Sequence, residues 1–121
     1  MAYKFERFTG SAPRGDTKIA INKSGLIRLS SGFCRVTNIL NYEFAILFYD
    51  KTNKAIAIKF TSKKEPGILK LTRDKNAATI SARSFLRVNS LLLRSNFDRF
   101  DWKNETIPNI GEVFIIELNK K

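Results

Sequence analysis

Ile19, Ile21, Ile27 and Leu29 alternate with polar or small residues, and the same period of two recurs at Ile56 and Ile58 around Ala57 and at Leu69 and Leu71 around Lys70. That spacing predicts short strands with one buried face. Residues 42–49 and 113–116 are more continuously apolar, which predicts strands at the centre of a sheet or barrel. Only two stretches change to a helical period. In the first, Phe33, Val36 and Leu40 fall on one face with Arg35 turned away; in the second, Phe85, Val88 and Leu92 do the same with Arg87 away. Ser30 or Ser31, and Ser81, stand where they would cap these helices.

The two helical stretches resemble one another. Phe33-Cys34-Arg35-Val36-Thr37-Asn38-Ile39 returns 52 positions later as Phe85-Leu86-Arg87-Val88-Asn89-Ser90-Leu91. Each is preceded by an alternating segment, a polar turn and a second short strand. The turns carry Asn22 with Ser24-Gly25 in one copy and Asp74 with Asn76 in the other, residues that tolerate positive φ or bond their own backbone, so each pair reads as a hairpin. Downstream, residues 42–49 and 55–60 answer to 97–102 and 112–118. The chain therefore predicts a mainly β fold with two short helices: two β-β-α-β-β repeats, about residues 18–62 and 66–119, forming a pseudo-two-fold barrel. Closure removes the exposed edges that a lone four-stranded unit would carry. Residues 1–17 read as a flexible basic arm, and 18–121 as a single domain.

Composition narrows the partner class. The chain has 121 residues, 43% of them apolar with ten Phe, enough for a genuine core without disulfide or metal. Twenty-two Lys and Arg against eleven acids leave a net charge of +11, with an isoelectric point near 10.1. Such an excess favours polyphosphate or an anionic surface. The apolar runs fall far below a bilayer span and the N-terminal residues carry no export-type hydrophobic stretch, so a soluble, cytoplasmic, nucleoid-associated protein without a membrane partner is expected.

Catalytic chemistry finds little to work with. There is no His, and the single cysteine, Cys34, occupies the place of Leu86 on a helix, as a buried small hydrophobe would. No Cys-x-x-Cys pair and no glycine-rich phosphate loop is present. Asp98, Asp101 and Glu105 are the nearest approach to a carboxylate cluster, and they read as solvated charge. The expectation is a protein that is not an enzyme and takes no cofactor and no metal.

The segment Ile21-Asn22-Lys23-Ser24-Gly25-Leu26-Ile27-Arg28-Leu29-Ser30, with the following helix and Lys54-Ala55-Ile56-Ala57-Ile58-Lys59, resembles the AbrB, SpoVT and MraZ group of swapped-hairpin DNA-binding domains. The likeness covers about residues 18–60 and more faintly 68–118. It departs where that group has Arg after the turn glycine and Pro before the helix; here those places hold Leu26 and Ser30. The resemblance implies a duplex DNA-binding transcriptional regulator in which one chain supplies both units, as a monomer with pseudo-two-fold symmetry or as a homodimer. Charge and placement nominate Lys23, Arg28, Arg35, Arg73, Arg83 and Arg87 as phosphate or groove contacts. A shifted frame, with the strands at 42–49, 55–60, 68–71 and 78–81 followed by the helix at 83–93, is similar to the Whirly-type single-strand binders. That order would make single-stranded DNA or RNA the partner, with Tyr42, Phe44, Phe48, Tyr49, Phe97, Phe100 and Trp102 available for stacking. A basic module that binds an acidic protein, such as an accessory factor or inhibitor, is the remaining class.

Overall fold

The computed structural model describes residues 17–119; the arm expected at residues 1–17 lies outside them except for Thr17. The first half runs β1 (Ile19–Ile21), β2 (Leu26–Leu29), α1 (Ser31–Thr37), a 3₁₀ turn (Ile39–Asn41), β3 (Phe44–Asp50) and β4 (Ala55–Thr61). The second runs β5 (Leu69–Asp74), β6 (Ala77–Ser81), α2 (Arg83–Val88), a 3₁₀ turn (Arg94–Asn96), β7 (Arg99–Phe100), β8 (Trp102–Ile107) and β9 (Gly111–Glu117). Each half is β-β-α-β-β, the third strand of the second half being interrupted at Asp101 into β7 and β8.

The nine strands form one antiparallel sheet in the order β7-β1-β2-β6-β5-β3-β4-β9-β8. Its two outermost members are the two pieces of that interrupted strand, so the sheet nearly closes into a barrel. The halves interleave. β2 and β6 lie side by side with Ile27 opposite Ile80, β1 pairs with β7 of the other half, and β5 pairs with β3 of the first. β4 and β9 complete the ring. A pseudo-two-fold axis therefore passes between β2 and β6 and out between β4 and β9.

Inward positions obey the strand alternation of the sequence: Ile19, Ile21, Ile27, Leu29, Ile56, Ile58, Leu71 and Ile80 are all buried. An aromatic cluster fills one part of the interior. Phe33 meets Trp102 and Phe114 edge-on, at ring-centroid distances of 5.0 and 5.3 Å, and Trp102 Nε1–H donates to the Thr17 carbonyl at 2.7 Å. The barrel thus holds the start of the described chain.

Turn and cap chemistry follows the sequence in the first half more closely than in the second. Asn22 Oδ1 accepts the backbone N–H of Ser24 at 2.9 Å and of Leu26 at 3.0 Å, and Gly25 takes φ +84°. In the second hairpin Asp74 faces Ala77 across a two-residue turn, and the positive φ falls on Lys75 at +59° rather than on Asp74 or Asn76. Ser30 Oγ accepts the Phe33 N–H at 3.1 Å and caps α1. Ser81 does not cap α2. It stays in β6 opposite Leu26, while the Ala82 N–H donates to the Gly25 carbonyl at 2.9 Å, and Ala82 occupies the cap position without a side-chain bond.

The buried helix face also differs from the periodicity reading. α1 buries Phe33 and Cys34, and α2 buries Leu86, whereas Val36 is 59% and Val88 81% exposed. Both helices are under two full turns and meet the barrel through Cys34 and Leu86. A residue two positions on lies some 200° around the axis at about 100° per residue, and so points to solvent.

Candidate nucleic-acid interface

Strand parity builds the outer face. Because Ile19 and Ile21, Ile27 and Leu29, Ala78 and Ile80, and Leu71 are buried, their neighbours in sequence turn outward. The register then aligns Arg99, Ala20, Arg28, Thr79 and Thr72 in one row across β7, β1, β2, β6 and β5. Arg28 stands beside the pseudo-two-fold axis between small side chains. Lys18, Arg28 and Arg99 line a shared depression of about 280 Å³, and Lys18 Nζ also pairs with Asp101 at 3.2 Å. Lys18 and Arg99 were not among the nominated residues. What unites them with Arg28 is cross-strand register, which spacing along the chain does not reveal.

At one end of this face the turn of the first hairpin rests on the start of α2. The Ala82 N–H to Gly25 carbonyl bond brings the turn that carries Lys23 onto Arg83, the first helical residue, which lies against Gly25, and Arg87 follows one turn later. At the opposite end the turn of the second hairpin lies by α1, and Arg35 and Asn76 line a common groove of about 350 Å³. The two turn tips stand roughly 25 Å apart at about 3.3 Å per residue. Lys23, Arg28, Arg35, Arg83 and Arg87 are exposed and, among the described residues, make no side-chain hydrogen bond or ion pair.

Arg73 is different. Its position on β5 has the parity of buried Leu71, so it emerges at the rim of the barrel and not on the outer face. Its guanidinium donates to the Leu40 carbonyl at 3.0 Å and to the Tyr42 carbonyl at 2.8 Å. These bonds tie the 3₁₀ turn to the second hairpin, a fastening role that its place in the sequence did not reveal.

The candidate stacking aromatics divide as well. Phe100 is buried, and Phe44, Phe48, Tyr49, Phe97 and Trp102 are half-buried, the Trp102 ring lying against Phe33 and Phe114. Tyr42 is exposed, with its ring 6.5 Å from that of Phe60. Cys34 is buried, and burial pushes its thiol up to about 11. Among the described residues no three acidic or thiol groups come close enough to hold a metal ion, and no helix is long and apolar enough to cross a membrane.

Asn38, Asn41 and Asn76 line the same groove as Arg35, and none was singled out from the sequence as a contact. The available signal was their number in and around the first helix and second turn, masked by the ordinary use of Asn in turns. Compared with protein families, curated proteins and solved structures, the chain matches none.

Proposed function

We propose that this chain is a non-enzymatic, duplex DNA-binding regulator of the swapped-hairpin kind, in which one polypeptide supplies both symmetry-related units. The observation that carries this reading is the placement of exposed cations at both ends of one outer face and beside the pseudo-two-fold axis that divides it. Lys23, Arg83 and Arg87 stand at one end of an outer face, Arg35 at the other and Arg28 beside the axis. A duplex presents the phosphates of both strands on either side of a groove, and cations at the two ends of such a face can meet both strands. The interleaved hairpins support the likeness to AbrB-type domains, since there too the hairpin of one unit is inserted into the other. The aromatic positions favour a duplex over single strands, because Tyr42 alone of the seven stacking candidates is exposed.

Binding is measured across duplex DNA, single-stranded DNA and RNA over a salt series. Phosphate contacts by Lys23, Arg28, Arg83 and Arg87, with Arg35 adding its charge, give a slope of log affinity against log salt of about −4 on duplex DNA. Tighter binding to single strands at every salt concentration would reverse the duplex assignment. No binding to any of the three at low salt, with a stable acidic-protein complex recovered instead, would refute nucleic-acid binding altogether.

A further inference from the structure

The two halves of the proposed interface are not chemically equivalent, and the repeat makes the difference measurable residue by residue. Asn38 and Ser90 occupy matching places: each follows a helix of the repeat and each takes a left-handed conformation, φ 58° and 59°. The same spacing matches Ser31 with Arg83, Arg35 with Arg87 and Asn41 with Leu93. The α1 end thus offers one guanidinium among amides, where the α2 end offers two guanidiniums, a hydroxyl and an exposed leucine.

The amides of the α1 end are also uncommitted. Asn22, Asn53, Asn89, Asn96 and Asn104 spend their side chains on hydrogen bonds to nearby groups of their own chain. Asn38, Asn41 and Asn76 make no side-chain hydrogen bond to any described residue, and all three line the groove that Arg35 shares. Arg73 holds the Leu40 and Tyr42 carbonyls on either side of Asn41, which fixes the backbone that presents that amide. Asp74 beside the second turn and Glu43 beyond the 3₁₀ turn dilute the positive charge here. Asn is the side chain that pairs two-pronged with adenine, and Arg pairs likewise with guanine; a bare cluster of cations does neither selectively.

We infer that the interface is functionally split: the groove of Arg35, Asn38, Asn41 and Asn76 reads base edges, while Lys23, Arg83 and Arg87 at the other end hold phosphates without reading sequence. This rests on the duplex-binding proposal and goes beyond it. A single chain with two matching units would ordinarily recognise a palindrome. This one recognises a single half-site of defined sequence flanked by duplex of any sequence.

Selection of binding sites from a random duplex library, followed by titration of the selected and a scrambled duplex, tests it. The expected product is one short asymmetric motif. N41A/N76A and R35K lower the ratio of selected to scrambled affinity roughly tenfold or more, R35K because Lys keeps the charge and loses the planar fork. R83A/R87A weakens both duplexes together and reduces the salt slope by about 2. All these positions are exposed, and a thermal melt verifies that each variant is folded. A palindromic motif, or a ratio unmoved by N41A/N76A and R35K, overturns the split interface. Tight duplex binding with no preferred sequence overturns it while leaving the duplex-binding proposal standing; absence of duplex binding overturns both.

Discussion

Gly25 and Arg83 meet so closely that a Cβ built on Gly25 would lie 2.6 Å from the Arg83 Cβ and 2.8 Å from its Cα. The contact locks the turn of one half onto the helix of the other, beside the β2–β6 pairing that joins the repeats. Gly25 is constrained twice, by this approach and by its φ of +84°. Gly67 takes a similar φ of +88° with open space around it. Gly25→Ala is therefore expected to cost about 2–4 kcal/mol and Gly67→Ala about 1 kcal/mol. Urea denaturation of the two variants checks this; equal losses would mean that the backbone angle alone matters at Gly25.

Arg73 fastens a 3₁₀ turn to a strand through two carbonyls, so its loss should register in stability. Because the side chain is exposed, water replaces part of what is lost, and Arg73→Met is expected to cost about 1 kcal/mol. Arg73→Lys keeps the charge but cannot span both acceptors, and should recover less than half of that. Thermal midpoints decide the matter. Full recovery by Lys would show that charge near the rim, rather than the forked bonding to Leu40 and Tyr42, is what counts.

The repeat, the two hairpins and the strand alternation were legible because each depends on local chemistry: turn residues at Asn22 and Gly25, period-two apolar positions, one capping serine at Ser30. What was not legible depended on partners distant in sequence. The exposed Val36 and Val88 illustrate this, since a two-turn helix has apolar residues on more than one side, and the barrel decides which side is buried. Ser81 fails as a cap because Ala82 is already held by Gly25, a residue of the other half. Within the candidate site, Lys23, Arg28, Arg35, Arg83 and Arg87 could be nominated as exposed cations. That Arg99 shares a row with Arg28, and that Arg73 bonds two backbone carbonyls, follows from register and tertiary contact.

Helix orientation has its own test. Leu86 is fully buried and Val88 is 81% exposed, only two residues apart. Leu86→Ala is expected to cost about 2–4 kcal/mol, and Val88→Lys less than about 0.5 kcal/mol. Chemical denaturation of the pair discriminates; a severe effect of Val88→Lys would rotate α2 back to the face that its apolar spacing suggests.

Cys34 couples the barrel to pH. Its ordinary thiol value of 9.0 rises to about 11 on burial, so between these values the unfolded chain has released a proton that the folded chain retains. Below pH 9 both states are protonated and the folded state keeps its full advantage. As pH rises through 9 towards 11 that advantage declines, because ionisation favours the unfolded chain. Stability measured by urea denaturation should therefore fall more steeply over this window in the native protein than in Cys34→Ala. Thiol-directed alkylation at pH 8 should be slow in the folded protein and fast in denaturant; parallel pH slopes or rapid native labelling would place Cys34 at the surface.

Arg28 isolates the electrostatics of the outer face from its folding. Its neighbours Ala20 and Thr79 are short, and the guanidinium makes no bond to the described residues, so Arg28→Ala removes a charge without removing a structural partner. Stability should change by less than about 0.5 kcal/mol. Under the duplex-binding proposal, the slope of log affinity against log salt should become shallower by about 1, and by the same amount on unrelated sequences. Arg73→Met gives the opposite pattern, with a lower thermal midpoint. Finding that Arg28→Ala leaves both slope and affinity unmoved would take the central row out of the interface and confine DNA contact to the two ends of the barrel.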